Sequence, residues 1–92
     1  MREVTDDKLE KYFSVSERAL AMAKENVNVD KKKEAEIILD MASRYIEDAK
    51  HFLEKDDKVT SFAALNYAHG WLDCGAMLGF FNVTDNTLFT VD

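Results

Sequence analysis

KKKEAEIILDMASRYIEDAKHFLEK, residues 31–55, decides the fold class. Its apolar residues Ala35, Ile38, Leu39, Ala42, Tyr45, Ile46, Ala49, Phe52 and Leu53 recur at spacings of three and four, the period of an α-helix that buries one face. The opposite face carries Glu36, Asp40, Arg44, Glu47, Lys50 and Glu54. Asp40 to Arg44 and Arg44 to Asp48 stand at i, i+4, where a pair adds about 0.2–0.5 kcal/mol to a helix. These charges keep the outer face in water. Asp30 stands where an N-cap is needed, since its carboxylate can accept from free amides of the first turn.

Working outward, the preceding segment repeats the pattern. Leu9, Tyr12, Phe13, Ser16, Ala19, Leu20, Ala23 and Val27 form one stripe, and Thr5 or Asp7 can cap its start. Asn26-Val27-Asn28-Val29-Asp30 reads as a turn, because Asn and Asp bond their own backbone in competition with a helix. Downstream, Lys55-Asp56-Asp57-Lys58 is a short polar link with Asp57 as the next cap.

The third helix, about 58–79, differs from the others. Ala64, Leu65, Tyr67, Ala68, Trp71, Leu72, Gly75 and Leu78 share its expected core arc, and Lys58 and Asp73 are its only charges. Such a helix is expected to be buried around much of its circumference. The chain has no proline and three glycines, Gly70, Gly75 and Gly79. Each glycine costs about 1 kcal/mol relative to alanine inside a helix, tolerated where backbones or large rings come close; Gly79 can equally be a C-cap. Residues 80–92 lose the helical period. Leu88, Phe89 and Val91 are costly in water, so this tail is expected to lie extended against the bundle. The reading is one all-α domain over residues 1–92: a three-helix up-and-down antiparallel bundle with helices at about 6–26, 31–55 and 58–79.

Composition narrows the function classes. A 92-residue chain buries only about 60–65 % of its unfolded surface, which leaves room for one core. Net charge is −6, with 47 % hydrophobic and 33 % charged residues, a balance that opposes attraction to nucleic acid or anionic membrane. Lys31-Lys32-Lys33 lies among Asp30, Glu34 and Glu36 and reads as a solvated helix start. No window is apolar enough to span a bilayer. The opening Met1-Arg2-Glu3-Val4-Thr5-Asp6-Asp7 lacks the apolar stretch of a secretion signal, giving a cytoplasmic expectation. Cys74 is the single cysteine; it excludes an internal disulfide and reads as a buried core thiol. Asn82-Val83-Thr84 matches a glycosylation sequon by chance in that compartment.

Tyr45, Asp48-Ala49, Phe52-Leu53-Glu54-Lys55, Asp57, then Tyr67-Ala68-His69-Gly70-Trp71-Leu72-Asp73, Gly75 and Leu78-Gly79 resemble the small archaeal family catalogued as domain of unknown function 357. The resemblance covers the C-terminal two thirds of the helical region; the first helix matches by pattern only. It implies a three-helix bundle of the albumin-binding-domain type and an archaeal cytoplasmic source, and it implies no activity. One departure is Asp56, where the family usually has Gly before the acid opening the third helix. Asp tolerates the left-handed conformation of such a turn at a modest cost in stability.

Asn66, His69 and Asp73 align on the third helix on the side away from Trp71, with Phe62, Met77 and Phe80 along the same side. Three readings account for so apolar an outward face: the tail folds over it, it is a partner or self-association surface, or the tail roofs a ligand pocket. Under the first, His69 bonds Asp73 or a tail carbonyl and does no chemistry. His69 and Asp73 supply two metal ligands where a catalytic metal takes three, and Asp48 or Asp57 would have to complete the set. Bundle di-metal sites need more than the single Asp48-x-x-His51 pair. No metal or cofactor is expected. Arg44 and His51 have the Arg-x6-His spacing that resembles the nuclease motif of HEPN domains, where such a pair binds phosphate and orients a ribose hydroxyl. Here acidic residues surround them. Tyr67 and Trp71 suggest base stacking but fall on the expected core arc, and no Ser-His-Asp set, phosphate-cradling Gly loop or zinc-knuckle spacing occurs.

The expected function is a non-enzymatic interaction or assembly module acting through the third helix and tail, around Phe62, Asn66, His69, Asp73, Met77 and Phe80. Its partner is a homodimer mate or another protein. The alternative is an RNA-binding or RNA-processing domain using Arg44 and His51, or His69 and Asp73.

Overall fold

Capping fixes where each helix begins and ends. A computed structural model describes residues 3–91; Met1-Arg2 of the start and Asp92 of the tail lie outside the described residues. Of the two candidate caps Thr5 serves, its hydroxyl accepting from Lys8 N at 3.1 Å. The first helix, α1 (Asp6–Glu25), carries Asp6 and Asp7 in its first turn, where they favour the positive end of the dipole. Asn26 Nδ2 donates to Met22 O at 2.7 Å and closes its last turn.

Asp30 does not cap the second helix. Asn28 Oδ1 accepts the Asp30 amide at 3.0 Å, and a 3-10 turn over Val29–Lys31 leads into α2 (Lys32–Glu54), which has no side-chain cap. The tighter i to i+3 turn supplies partners that a cap would otherwise supply. At the far end Asp56 adopts φ 59°. Its amide donates to Leu53 O at 3.0 Å and that of Asp57 to Phe52 O at 2.9 Å, the paired bonds of a Schellman ending. Asp57 then caps α3 (Lys58–Met77), accepting from Thr60 N at 3.1 Å. Gly79, φ 78°, ends α3 in the same way, with Gly79 N donating to Ala76 O and Phe80 N to Gly75 O. The third helix therefore stops two residues earlier than expected, with Gly79 as its left-handed cap.

Contacts between helices set their directions. Ser61 Oγ donates to Ala49 O at 2.7 Å and Tyr45 stacks on Tyr67 at 5.4 Å, so α2 and α3 are antiparallel. Asp6 meets Lys58 at 2.8 Å near one end of the bundle, and Val27 bridges Phe81 near the other, so α1 and α3 are parallel. This is the expected up-and-down three-helix bundle. Buried alanines at 19, 23, 35, 42, 49, 64, 68 and 76 let the helices come close. Leu9, Ile46 and Leu65 fill one end of the core. Ile38, Leu72, Phe81, Leu88 and Phe89 fill the other.

The tail contributes core side chains but is not extended throughout. Asn28 N donates to Phe80 O and Asn82 N to Asn26 O around the Val27–Phe81 bridge. Asp85 then accepts from the Thr87 amide and hydroxyl and organises a turn. An extended strand points neighbouring side chains to opposite faces. Leu88 and Phe89 are both buried, and the turn is what delivers both to the same core.

The third helix is also rotated from the expected arc. Its buried residues are Ser61, Ala64, Leu65, Ala68, Leu72, Gly75 and Ala76. Tyr67 and Leu78, expected inside, are 63 % and 61 % exposed, and Cys74, expected to be a core thiol, is exposed. On a wheel of 100° per residue the shift is roughly 50°. The residues turned inward are Ser61, whose hydroxyl donates to Ala49 O on α2, and Ala76, which shares a core cluster with Phe81, Leu88 and Phe89; neither stood on the expected arc. Nor is α3 buried around most of its circumference; it is covered along one stripe. Tyr12 and Leu53 lie at the open edges of their stripes, 37 % and 40 % exposed.

Candidate functional site: the outward face of the third helix

The rotation divides the six residues singled out on the third helix. Phe62 is half-buried, edge-on to Tyr12 at 4.8 Å with Lys8 Nζ 5.1 Å over its ring. Phe80 is half-buried and packs against the core beside the tail. Asp73 accepts from Thr90 N at 2.7 Å and Thr90 Oγ1 at 3.0 Å, so the tail is latched to α3. His69 Nε2 lies 3.6 Å from Asp73 Oδ2. Asn66 and Met77 remain open to solvent.

Asn66 and Met77 belong to a different and wider surface. Val59, Ala63, Asn66, Gly70, Cys74 and Met77 follow one another at spacings of three and four and are all exposed, flanked by Tyr67 and Leu78. Gly70 is at the centre, and a Cβ there would meet nothing within 4 Å. Tyr45, Asn66, Tyr67, Gly70, Trp71 and Cys74 line an open groove of about 400 Å³ on the α2 side of this face. On the tail side, Ala76 and Met77 line a separate groove of about 620 Å³ with the tail residues Asn86, Phe89, Thr90 and Val91.

Among the described residues, both charged side chains of α3 are paired within the chain. Lys58 is held by Asp6, and its ammonium pKa is raised by that hydrogen bond and ion pair; Asp73 is occupied by Thr90. The chain signals this face only weakly, through Gly70 in a helix interior and through Tyr67, which stacks on Tyr45 of α2; with so few charges on α3, the inward and outward sides have similar composition.

Of the residues in the alternative reading, Arg44 and His51 sit elsewhere, on α2. Arg44 Nε donates to Asp40 Oδ2 at 3.0 Å on the exposed side of α2, and His51 is exposed two turns further on, edge-on to Phe52. Among the described residues no three His, Cys, Asp or Glu side chains gather closely enough to hold a metal ion. Among them, too, no helix is long and apolar enough to cross a membrane.

Residues 11–81 match the family model described as Protein of unknown function (DUF357). The chain belongs to the DUF357 family. A search of curated proteins and one of solved structures returned no match. The DUF357 span contains all of the open face from Val59 to Leu78 and both members of the Gly75–Phe81 contact, whereas the Thr90 latch lies beyond it.

Proposed function

We propose that this protein is a non-enzymatic interaction or assembly module whose working surface is the outward face of α3 with the adjoining edge of the tail. One observation carries the reading. A helix of 20 residues, Lys58–Met77, leaves Val59, Tyr67 and Met77 between 63 % and 69 % exposed with no free charge among them. Single exposed apolar side chains are ordinary on soluble proteins; a contiguous uncharged strip along a whole helix marks a contact surface. The outer faces of α1 and α2 differ in carrying many exposed charges, among them Glu10, Lys11, Glu17, Arg18, Glu36, Asp40, Arg44 and Glu47, although Ile37 is also exposed.

RNA processing through Arg44 and His51 has no supporting contact: the guanidinium is already bonded to Asp40, within an acidic surface.

The test is a comparison of wild type with the Tyr67→Asp/Met77→Asp double variant. Both residues are exposed, so the melting temperature is expected to change by only a few degrees. Wild type is expected to form a complex, with itself or with a protein of native lysate, that the variant does not form. A wild type whose mass and captured proteins equal those of the variant overturns the reading.

A further inference from the structure

We infer that the partner of this face is a second copy of the chain, with two α3 helices lying antiparallel across a two-fold axis at Gly70. The inference rests on the interaction reading above and goes on to name the occupant.

Gly70 is the starting point. It stands in the interior of α3, is exposed, and has open space where a Cβ would be. A glycine there destabilises the helix relative to alanine. The other two glycines have intramolecular tasks: Gly75 receives the Phe81 ring and Gly79 holds φ 78°. Among the described residues nothing uses the missing side chain of Gly70. An external backbone approaching the centre of the strip would use it.

The strip is self-complementary about that point. A two-fold at Gly70 sets Ala63 opposite the partner's Met77 and Asn66 opposite the partner's Cys74, so the largest exposed side chain of the strip meets one of its smallest. Gly70 meets its own copy where the axes are closest. Charge agrees as well. Among the described residues the only charges of α3, Lys58 and Asp73, are already paired within the chain, so a strongly basic or acidic partner finds little counter-charge on this helix, whereas a second copy brings an equally neutral strip. The extent is sufficient for a weak dimer. A 20-residue helix is about 30 Å long, and two such strips with their flanking aromatics cover on the order of 1,000–1,200 Å², near the lower bound for specific interfaces.

The geometry gives a test that separates this proposal from the broader reading. Residues 66 and 74 are two turns apart, about 12 Å along the axis, too far for a disulfide within one chain. Asn66→Cys is therefore expected to give an oxidised, covalent dimer linked to the partner's native Cys74, while Glu36→Cys, on the outer face of α2, gives none. By sedimentation equilibrium, wild type is expected to dimerise at tens to hundreds of micromolar. Raising salt should tighten the dimer, because each copy carries −6 and the repulsion is screened. Gly70→Leu is expected to weaken association at least about tenfold while the melting temperature of the monomer is unchanged or higher. A mass that stays monomeric up to 1 mM overturns the inference, as does a dimer in which Asn66→Cys links no better than Glu36→Cys. If the wild type is monomeric yet captures a protein that Tyr67→Asp/Met77→Asp does not, the second copy is excluded and the interaction reading survives. If it captures nothing either, both fall.

Discussion

Gly70 and Gly75 lie on one helix and have opposite requirements. At Gly75 the Phe81 ring occupies the space of a Cβ, and Phe81 is itself 2 % exposed in the core, so the ring has nowhere to retreat. Gly75→Ala is expected to destabilise the protein by about 1–3 kcal/mol, the usual cost of overpacking, measurable by urea denaturation. At Gly70 a methyl group meets open space, and Gly70→Ala should stabilise the monomer by about 0.5–1 kcal/mol in the same assay. Asp56 is a third backbone case. Its φ of 59° is left-handed, as the sequence reading anticipated, and Asp56→Gly should add about 0.5–1 kcal/mol by removing that strain. No change in stability at Asp56 would mean that its side chain compensates locally.

At the scale of elements, the tail is held by two carboxylates with different tasks. Asp85 organises its turn and Asp73 fastens the turn to α3 through Thr90. Asp73→Ala removes two charge-assisted bonds on a partly exposed group, a loss of about 1–2 kcal/mol, and is expected to accelerate hydrogen exchange at the Thr90 amide more than anywhere in α2. Helix caps supply a pH dependence of definite sign. Hydrogen bonds from Thr60, side chain then amide, hold the Asp57 carboxyl below its usual range, and those from Thr87 do the same for Asp85, with Arg18 adding a little. A carboxyl with a lowered folded pKa contributes stability that is present above its unfolded value, about 3.9, and is lost as pH falls through the folded value. Stability should therefore drop as pH falls below about 4, and the Asp57→Asn/Asp85→Asn double variant should show a shallower drop in acid denaturation monitored by circular dichroism.

For the whole molecule, the single tryptophan reports on the proposed contact. Trp71 is half-buried, packs against the core and lines the open groove with Tyr67 and Cys74. Its fluorescence should be quenched by acrylamide at low protein concentration and become protected at concentrations where a complex forms; quenching independent of concentration would show that the groove stays open. The bundle itself was legible because its signals are local and redundant. The 3, 4 spacing of Ile38, Leu39, Ala42, Tyr45, Ile46 and Ala49 survives any error in one position, and Asp57 caps α3 by reaching only three residues ahead. The face of α3 was not legible to the same degree. With only Lys58 and Asp73 charged, the outward side has almost the same composition as the inward side, so periodicity could not choose between arcs roughly 50° apart.

The chain alone determined that there are three helices, where they are joined and which residue starts the third. These follow from interactions within a few residues. The tertiary structure alone decided the rotation of α3, because that depends on Ser61 reaching Ala49 O on α2 and on Ala76 sharing a core cluster with the tail residues Leu88 and Phe89. It also decided the turn in the tail, where Leu88 and Phe89 enter one core, and the exposure of Tyr67, Gly70 and Cys74. Each of these is set by a contact with another element or by its lack, and hydrophobic pattern along one helix carries no information about which neighbour arrives first.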